Sequence, residues 1–90
     1  MSAVAALVEN AIAKNGAVVF SKTYCPYCVR AKEHLAKLGI AFELYELDTR
    51  DDGPAIQQYL LERTKQRTVP NIFINQEHIG GCSDLLAKYK

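Results

Sequence analysis

The sequence predicts an α/β sandwich in which a small mixed sheet of four strands carries helices on both faces. Helical and strand patterns follow one another in the order α-β-α-β-α-β-β-α along the 90 residues. A helix joins the first two strands, which should therefore run parallel through a right-handed crossover, whereas the last two are close enough to form a hairpin. Repeats, linkers and low-complexity segments are absent from the sequence, so we expect one domain covering residues 1–90.

The first half of the chain supplies two helices and two strands. Apolar residues recur at helical spacing over residues 3–14, and Asn15-Gly16 is expected to cap this helix. The run Val18-Val19-Phe20 is apolar without alternation, as expected of a strand buried on both faces. The second helix is predicted over residues 26–38, because proline suits a first helical turn and a glycine follows the last one. The second strand is predicted over residues 42–47.

The second half supplies a helix, a hairpin and a short closing helix. These cover residues 51–63, a strand over residues 71–74, a short strand ending at Ile79, and a helix over residues 83–89. The hairpin turn contains Asn75-Gln76, which lacks the glycine of the tightest two-residue turns, so we expect a looser turn here. Gly80-Gly81 separates the last strand from the last helix.

Composition excludes several classes of protein. Eleven basic and ten acidic residues nearly cancel, which gives no reason to expect binding to nucleic acid or to an acidic membrane. The three cysteines are too few for a secreted disulfide scaffold. The N-terminal residues fit neither a signal peptide nor a membrane span, because Glu9 interrupts a short apolar run. We therefore expect a cytoplasmic, reducing compartment in which the cysteines rest as thiols.

The segment Cys25-Pro26-Tyr27-Cys28 predicts redox chemistry, since a strand leads into it and a helix begins on it. The thiolate is the form that attacks disulfides, and a free thiol is mostly protonated at neutral pH. At a helix N-terminus, Cys25 meets unpaired N–H groups and the positive end of the helix dipole, both of which favour the thiolate. Lys22 is the closest positive charge in sequence. Pro26 lacks an N–H, so we expect hydrogen bonds from Tyr27 and Cys28 onward.

The two cysteines should have different roles. Helical spacing places Cys28 on one inward face with Ala31, Leu35 and Leu38, while Cys25 lies at the exposed tip. Cys25 should therefore attack, and Cys28 should resolve the resulting mixed disulfide.

Other readings of the cysteines and histidines remain open. Two cysteines at this spacing can form half of a zinc site, for which Cys82 and His78 are the only plausible further ligands. Cys82 itself suits a buried filler or a modifiable thiol beside the site. His34 is expected at the surface, and His78 has no other assigned role.

Three blocks of sequence resemble the dithiol glutaredoxins of the thioredoxin-like superfamily. They cover residues 21–28 (SKTYCPYC), 67–70 (RTVP) and 79–84 (IGGCSD). C-P-Y-C differs from the C-G-P-C of thioredoxin and from the C-G-F-S of the monothiol glutaredoxins. The resemblance implies a thioredoxin-like three-layer sandwich, although relatives usually continue into a longer closing helical segment.

The resemblance also implies an enzyme, a glutathione-dependent thiol–disulfide oxidoreductase without a tightly bound cofactor. Glutathione would be its co-substrate, and glutathionylated or disulfide-containing proteins its partners, with the enzyme acting as a monomer. Cys25 would accept the glutathionyl group and a second glutathione would release it, while Cys28 would be needed for protein disulfides.

The family further implies a partner for each group of glutathione. Lys22, Gln57 and Arg67 would meet the glycine carboxylate. The Val69 backbone would pair with the cysteinyl part, through a cis bond to Pro70. The diglycine would let the backbone approach the ligand, the last helix would receive the γ-glutamyl carboxylate, and Asp84 would take the ammonium. The full set implied for glutathione is Lys22, Tyr27 as a groove wall, Gln57, Arg67, Thr68, Val69, Pro70, Gly81, Cys82, Ser83 and Asp84.

Two other functions compete with this one. Some glutaredoxins form dimers that carry a [2Fe–2S] cluster through the first cysteine and two glutathiones. Within the family, a proline at the position of Pro26 disfavours this cluster. A thioredoxin-type protein reduced by a flavoenzyme is the other alternative, against which residues 67–70 and the diglycine argue.

Overall fold

The computed structural model describes residues 2–90 and contains a four-stranded sheet between two layers of helices. The elements are α1 (Ala3–Lys14), β1 (Ala17–Ser21), α2 (Pro26–Lys37), β2 (Glu43–Glu46), a 3₁₀ turn (Leu47–Thr49), α3 (Gly53–Thr64), β3 (Asn71–Ile74), β4 (Glu77–Gly80) and α4 (Cys82–Lys88). The predicted order of helices and strands is confirmed, and the 3₁₀ turn is an addition to it.

The strands lie in the order β2-β1-β3-β4. β1 and β2 run parallel, with Val19 opposite Leu44, because α2 returns the chain to the same end of the sheet. β3 is antiparallel to both β1 and β4. The parallel pair and the closing hairpin are both confirmed. β1 and β3 are the central strands, which explains why every residue in each of them is buried.

Two apolar cores cover the two faces of the sheet. On one face, α1 and α3 pack over Phe20 and Phe73, whose rings meet edge to face with their centroids 6.2 Å apart. On the other face, α2 and α4 pack over Val19 and Ile72. Alternate residues of β1 thus serve opposite cores, and a run without polar alternation is what such a central strand requires. No helix within residues 2–90 is both long and apolar enough to cross a membrane.

Two predictions about helix ends are right only in part: Asn15 caps α1 as predicted but without the glycine, and Leu38 caps α2 but does not lie on its inward face. Asn15 does follow α1, but its backbone is extended and Gly16 has no left-handed conformation. The Asn15 side-chain amide instead donates to the carbonyl of Ala11 at 2.8 Å, which satisfies the helix end without a glycine cap. Leu38 is not on the inward face of α2 and remains 39% exposed. Leu38 is the capping residue of α2, and its N–H still bonds to the His34 carbonyl, but it lies about 60° round the helix from Leu35 and so at the edge of the inward face.

The hairpin turn is tighter than predicted. β3 ends at Ile74 and β4 begins at Glu77, which leaves a two-residue loop. Asn75 and Gln76 both have positive φ, at 52° and 67°. Two consecutive left-handed residues are the mark of a type I′ turn, whose twist matches that of the strands. The expected looser turn is therefore wrong, because strand pairing imposes this backbone on Gln76.

Candidate active site

The two cysteines lie at the start of α2 and differ in accessibility. Cys25 is the residue that precedes the helix, and it is half-buried. Its Sγ lies 3.8 Å from the carbonyl oxygen of Val69, a weak contact for a thiol donor. Cys28 is completely buried on the inward face of the helix, together with Ala31 and Leu35. An accessible sulfur thus lies in front of an enclosed one.

The local hydrogen bonds differ from those predicted. The Cys25 side chain accepts no capping hydrogen bond from the first turn of α2, so the expected donors Tyr27 and Cys28 do not reach its sulfur. The reason is the direction of the thiol, which points across to Val69 rather than along the helix axis.

The enclosed Cys28 thiol is harder to ionise than an ordinary cysteine thiol. Burial raises the pKa of the Cys28 thiol, and the adjacent Cys25 sulfur adds to the rise. Contacts with the Lys22 backbone and the Ser21 hydroxyl oppose it. Cys28 therefore stays protonated at neutral pH until a proton acceptor approaches.

An acidic residue outside the predicted set anchors the loop before Cys25. The backbone N–H of Thr23 donates to Oδ1 of Asp48 at 3.0 Å, and the Thr23 hydroxyl donates to Oδ2 of the same carboxylate. These hydrogen bonds, with a smaller effect of the nearby Lys22 charge, lower the pKa of Asp48. Asp48 lies 25 residues from Thr23 in sequence, so no local pattern could have indicated the contact.

A cleft of about 640 Å³ opens beside the cysteines. Its walls come from the start of α2, the loop before β3 and the start of α4, and they consist of Tyr27, Arg30, Gln66, Thr68, Val69, Pro70, Gly81, Cys82, Ser83, Asp84 and Leu86. Cys25 is not part of the wall but touches it through Val69. Lys22, Gln57 and Arg67 of the predicted set also lie outside the wall, while Arg30, Gln66 and Leu86 were not predicted.

Two glutamines hold the loop between α3 and β3. The Gln57 side chain donates to the carbonyl of Arg67 at 2.9 Å. Gln66 donates to the carbonyls of Thr68 and Pro70 at 3.0 and 2.9 Å. The bond between Val69 and Pro70 is cis, as the resemblance implied. Gln57 and Gln66 therefore both stabilise the loop through hydrogen bonds to its backbone carbonyls.

The diglycine and α4 form the opposite wall of the cleft. Oδ2 of Asp84 accepts a hydrogen bond from the Gly81 N–H at 2.9 Å and so caps the helix. Gly80 has a φ of 116°, and a Cβ there would lie 2.4 Å from the same Oδ2. Only glycine therefore allows Asp84 to close against the chain at this position. Ser83 is exposed at the edge of the wall.

Cys82 and His78, the two further candidates for a zinc site, make separate contacts. Cys82 is buried among the side chains between α2 and α4, and burial raises the pKa of its thiol. The His78 ring bonds to Oδ1 of the buried Asn71 at 2.8 Å, and burial lowers the pKa of His78. Within residues 2–90, no group of three or more His, Cys, Asp or Glu side chains is arranged to hold a metal ion. His34 is half-buried rather than fully exposed, and its ring contacts the carbonyl of Tyr89.

Comparison with known proteins identifies the family. A family model described as Glutaredoxin matches residues 17–79, from β1 to the last strand. The chain belongs to the glutaredoxin family. A glutaredoxin of Ricinus communis is 54% identical over 81 residues, which cover 90% of this chain and 79% of the relative. Glutaredoxin-1 of Rhizophagus irregularis is 51% identical over 87 residues, 97% of this chain and 86% of the relative.

Solved glutaredoxins share the fold closely. The crystal structure of a buckwheat glutaredoxin–glutathione complex has a TM-score of 0.93 and 46% identity, covering 96% of this chain and 78% of that one. The crystal structure of a wheat glutaredoxin has a TM-score of 0.90 and 50% identity, covering 94% and 80%. The predicted thioredoxin-like three-layer sandwich is therefore confirmed, as is the assignment to an oxidoreductase family that acts with glutathione.

Proposed function

We propose that this glutaredoxin catalyses glutathione-dependent thiol–disulfide exchange with Cys25 as the attacking sulfur and Cys28 as the resolving thiol. The observation that carries the assignment is the position of the two sulfurs: Cys25 is accessible beside a cleft, and Cys28 is enclosed behind it. Glutathione is the co-substrate, and the exchange itself requires no other cofactor.

On a glutathionylated substrate the reaction needs one cysteine. The Cys25 thiolate attacks the glutathionyl sulfur, the mixed disulfide breaks, and the substrate leaves as a thiolate that takes up a proton. Glutathione, as its thiolate, then attacks the glutathionyl group on Cys25, which releases glutathione disulfide and restores the Cys25 thiolate. In this cycle one free glutathione is oxidised: its sulfur joins the glutathionyl sulfur that the substrate delivered, and the substrate cysteine is reduced.

On a protein disulfide both cysteines take part. Cys25 attacks one sulfur of the substrate, and Cys28 then attacks Cys25, which frees the reduced protein and leaves a Cys25–Cys28 disulfide. Two glutathiones reduce that disulfide in sequence. Because burial raises the pKa of Cys28, the second step needs a proton acceptor, a role open to the substrate thiolate as it leaves.

The cleft suits an extended tripeptide beside Cys25. Lys22 and Arg67 would serve the glycine carboxylate, with Gln57 acting chiefly through its hydrogen bond to the Arg67 carbonyl. The backbone of Val69 would pair with the cysteinyl part like a neighbouring strand. The walls formed by Tyr27, Thr68 and Pro70 on one side, and by Gly81, Cys82, Ser83 and Asp84 on the other, would enclose the remainder of the peptide.

Reduction of a glutathionylated peptide, coupled through glutathione reductase to NADPH oxidation, tests this function. The wild type should turn over, Cys25→Ser should be inactive, and Cys28→Ser should retain activity on this substrate while losing activity on a protein disulfide. A wild type without glutathione-dependent turnover, or an active Cys25→Ser variant, would refute the assignment.

The setting of the reaction is part of the same proposal. A monomeric enzyme in the cytoplasm would meet glutathione largely in its reduced form, and electrons would pass from glutathione to protein disulfides and mixed disulfides. The reduced glutathione pool favours Cys25 and Cys28 as free thiols between turnovers. A domain covering residues 1–90 would be sufficient for the activity.

A further inference from the structure

The cleft contains one cation that the proposed exchange reaction does not use. Arg30 lies on α2 and forms part of the cleft wall. Its guanidinium stands over the ring of Tyr27, with Cζ 5.6 Å from the ring centroid. Its charge also reaches the Cys82 sulfur, where it opposes the rise that burial causes in the pKa of that thiol. Arg30 is therefore close both to the groove wall Tyr27 and to Cys82, the first residue of α4.

No carboxylate in the described part of the chain pairs with this guanidinium. Within residues 2–90, Arg30 takes part in neither an ion pair nor a side-chain hydrogen bond, unlike Arg50 and Arg63, which each bind a carboxylate. The cleft wall contains one other charged side chain, Asp84. Oδ2 of Asp84 accepts from the Gly81 N–H, while Oδ1 has no partner in the part of the chain described. Within the described residues, the cleft wall thus contains an unpaired guanidinium, that of Arg30, and a carboxylate, that of Asp84, with one oxygen available to a ligand.

We propose that Arg30 is a specificity residue that binds the α-carboxylate of the γ-glutamyl group of glutathione. This inference rests on the proposed function. The γ-glutamyl end is an amino-acid zwitterion, so a guanidinium and a carboxylate in one cleft match its two charges. A planar guanidinium binds a carboxylate through two parallel hydrogen bonds, and the cation–π contact with Tyr27 reduces the freedom that Arg30 would lose on binding. A protein substrate without this zwitterion would gain no binding energy from Arg30.

Transfer rates from paired substrates test the proposal. A peptide with one cysteine and no acidic residue is linked by a disulfide to glutathione, to an analogue lacking the glutamyl α-carboxylate (4-aminobutyryl-Cys-Gly), or to glutathione with its glycine carboxylate amidated. Single-turnover release of the peptide is measured in a Cys28→Ser background, so that only transfer to Cys25 is observed. The variants are Arg30→Gln and Arg30→Lys, both at an exposed position that folding does not require.

We expect the wild type to prefer glutathione over the 4-aminobutyryl analogue, and Arg30→Gln to reduce that preference roughly tenfold. Arg30→Lys should keep an intermediate preference, because lysine retains the charge and loses the paired geometry. Discrimination against the amidated analogue should be unchanged in both variants. Comparing each variant with each analogue then distinguishes an effect on the glutamyl carboxylate from an effect on the glycine carboxylate.

Three results would overturn the inference. Arg30→Gln could keep the full preference for glutathione, or it could lose discrimination against both analogues equally. It could also slow only those substrates whose peptide carries an acidic residue beside the cysteine, which would assign Arg30 to the protein partner. Each of these outcomes leaves glutathione-dependent turnover intact, whereas a wild type that does not turn over would refute the proposed function and this inference with it.

Discussion

Replacing Gly53 by alanine should destabilise the protein severely, because α3 begins in direct contact with the preceding 3₁₀ turn. A Cβ at Gly53 would lie 1.8 Å from the carbonyl oxygen of Leu47, whereas real contacts of this kind are at least 3.0 Å. One of the two backbones must therefore move by at least 1.2 Å. Overpacking in a core costs about 1–3 kcal/mol, and we expect the upper end here because both partners are held by backbone.

Urea and thermal unfolding followed by circular dichroism measure the effect. A loss of about 3 kcal/mol corresponds to a fall in Tm of roughly 12–24 °C for a domain of this size. Gly16→Ala is the matched control, because a Cβ at Gly16 meets nothing within 4 Å and its φ is not left-handed. That variant should be stabilised by about 0.4–1 kcal/mol through the unfolded state. Equal stabilities of the two variants would refute the steric reasoning.

Gln76→Gly should raise Tm by roughly 4–8 °C, because the left-handed φ of 67° costs a residue with a Cβ about 1 kcal/mol; an unchanged melting curve would contradict this. Glu9→Gln should lower stability by about 1 kcal/mol at neutral pH, since Glu9 accepts from Arg63 and Tyr59, each at 2.6 Å. The hydrogen bond from Arg63 holds the pKa of Glu9 below 4.5. The wild type should therefore be more stable than Glu9→Gln above pH 4.5, and this difference in stability should vanish as the pH falls through the lowered pKa. A difference that persists in acid would be evidence against the ion pair between Glu9 and Arg63. Burial raises the pKa of Cys28, so the rate of protein-disulfide reduction should rise with pH into the alkaline range more steeply than the rate of transfer from a glutathionylated peptide. If stopped-flow measurements give the same pH dependence for both rates, deprotonation of Cys28 does not limit the reduction of protein disulfides.

Local chemistry in the sequence predicted most of the fold. The helix between β1 and β2 forced a parallel pair, and the uninterrupted apolar run of β1 indicated burial on both faces, as its contacts with both cores show. The hairpin turn could not be predicted in the same way. Residue preference favours glycine in a type I′ turn, but the register of β3 and β4 leaves two residues for the loop, and strand pairing overrides the preference at Gln76.

The site was less accessible to sequence reasoning, since several of its contacts join distant segments. The cysteine pair was evident from a local pattern, but Asp48 contacts Thr23 across 25 residues. Arg30 lies on the outer side of α2, where a lysine or arginine normally faces water, and it becomes a cleft residue only because α4 packs beside α2. Gln57 also donates a hydrogen bond to the Arg67 carbonyl, a contact between α3 and the following loop that the sequence did not indicate.

The spacing of the two cysteines determines how the work is divided between them. Cys25 precedes α2 and keeps an accessible sulfur, while Cys28 falls on the same face as Ala31 and is enclosed. One residue later the helix has turned by about 100°, and Val29 is already 41% exposed. A second cysteine at that position would retain water and lose the burial that raises the pKa of Cys28. The two-residue spacing therefore keeps the resolving thiol protonated and slow, so that glutathione can reach a glutathionylated Cys25 before Cys28 attacks it.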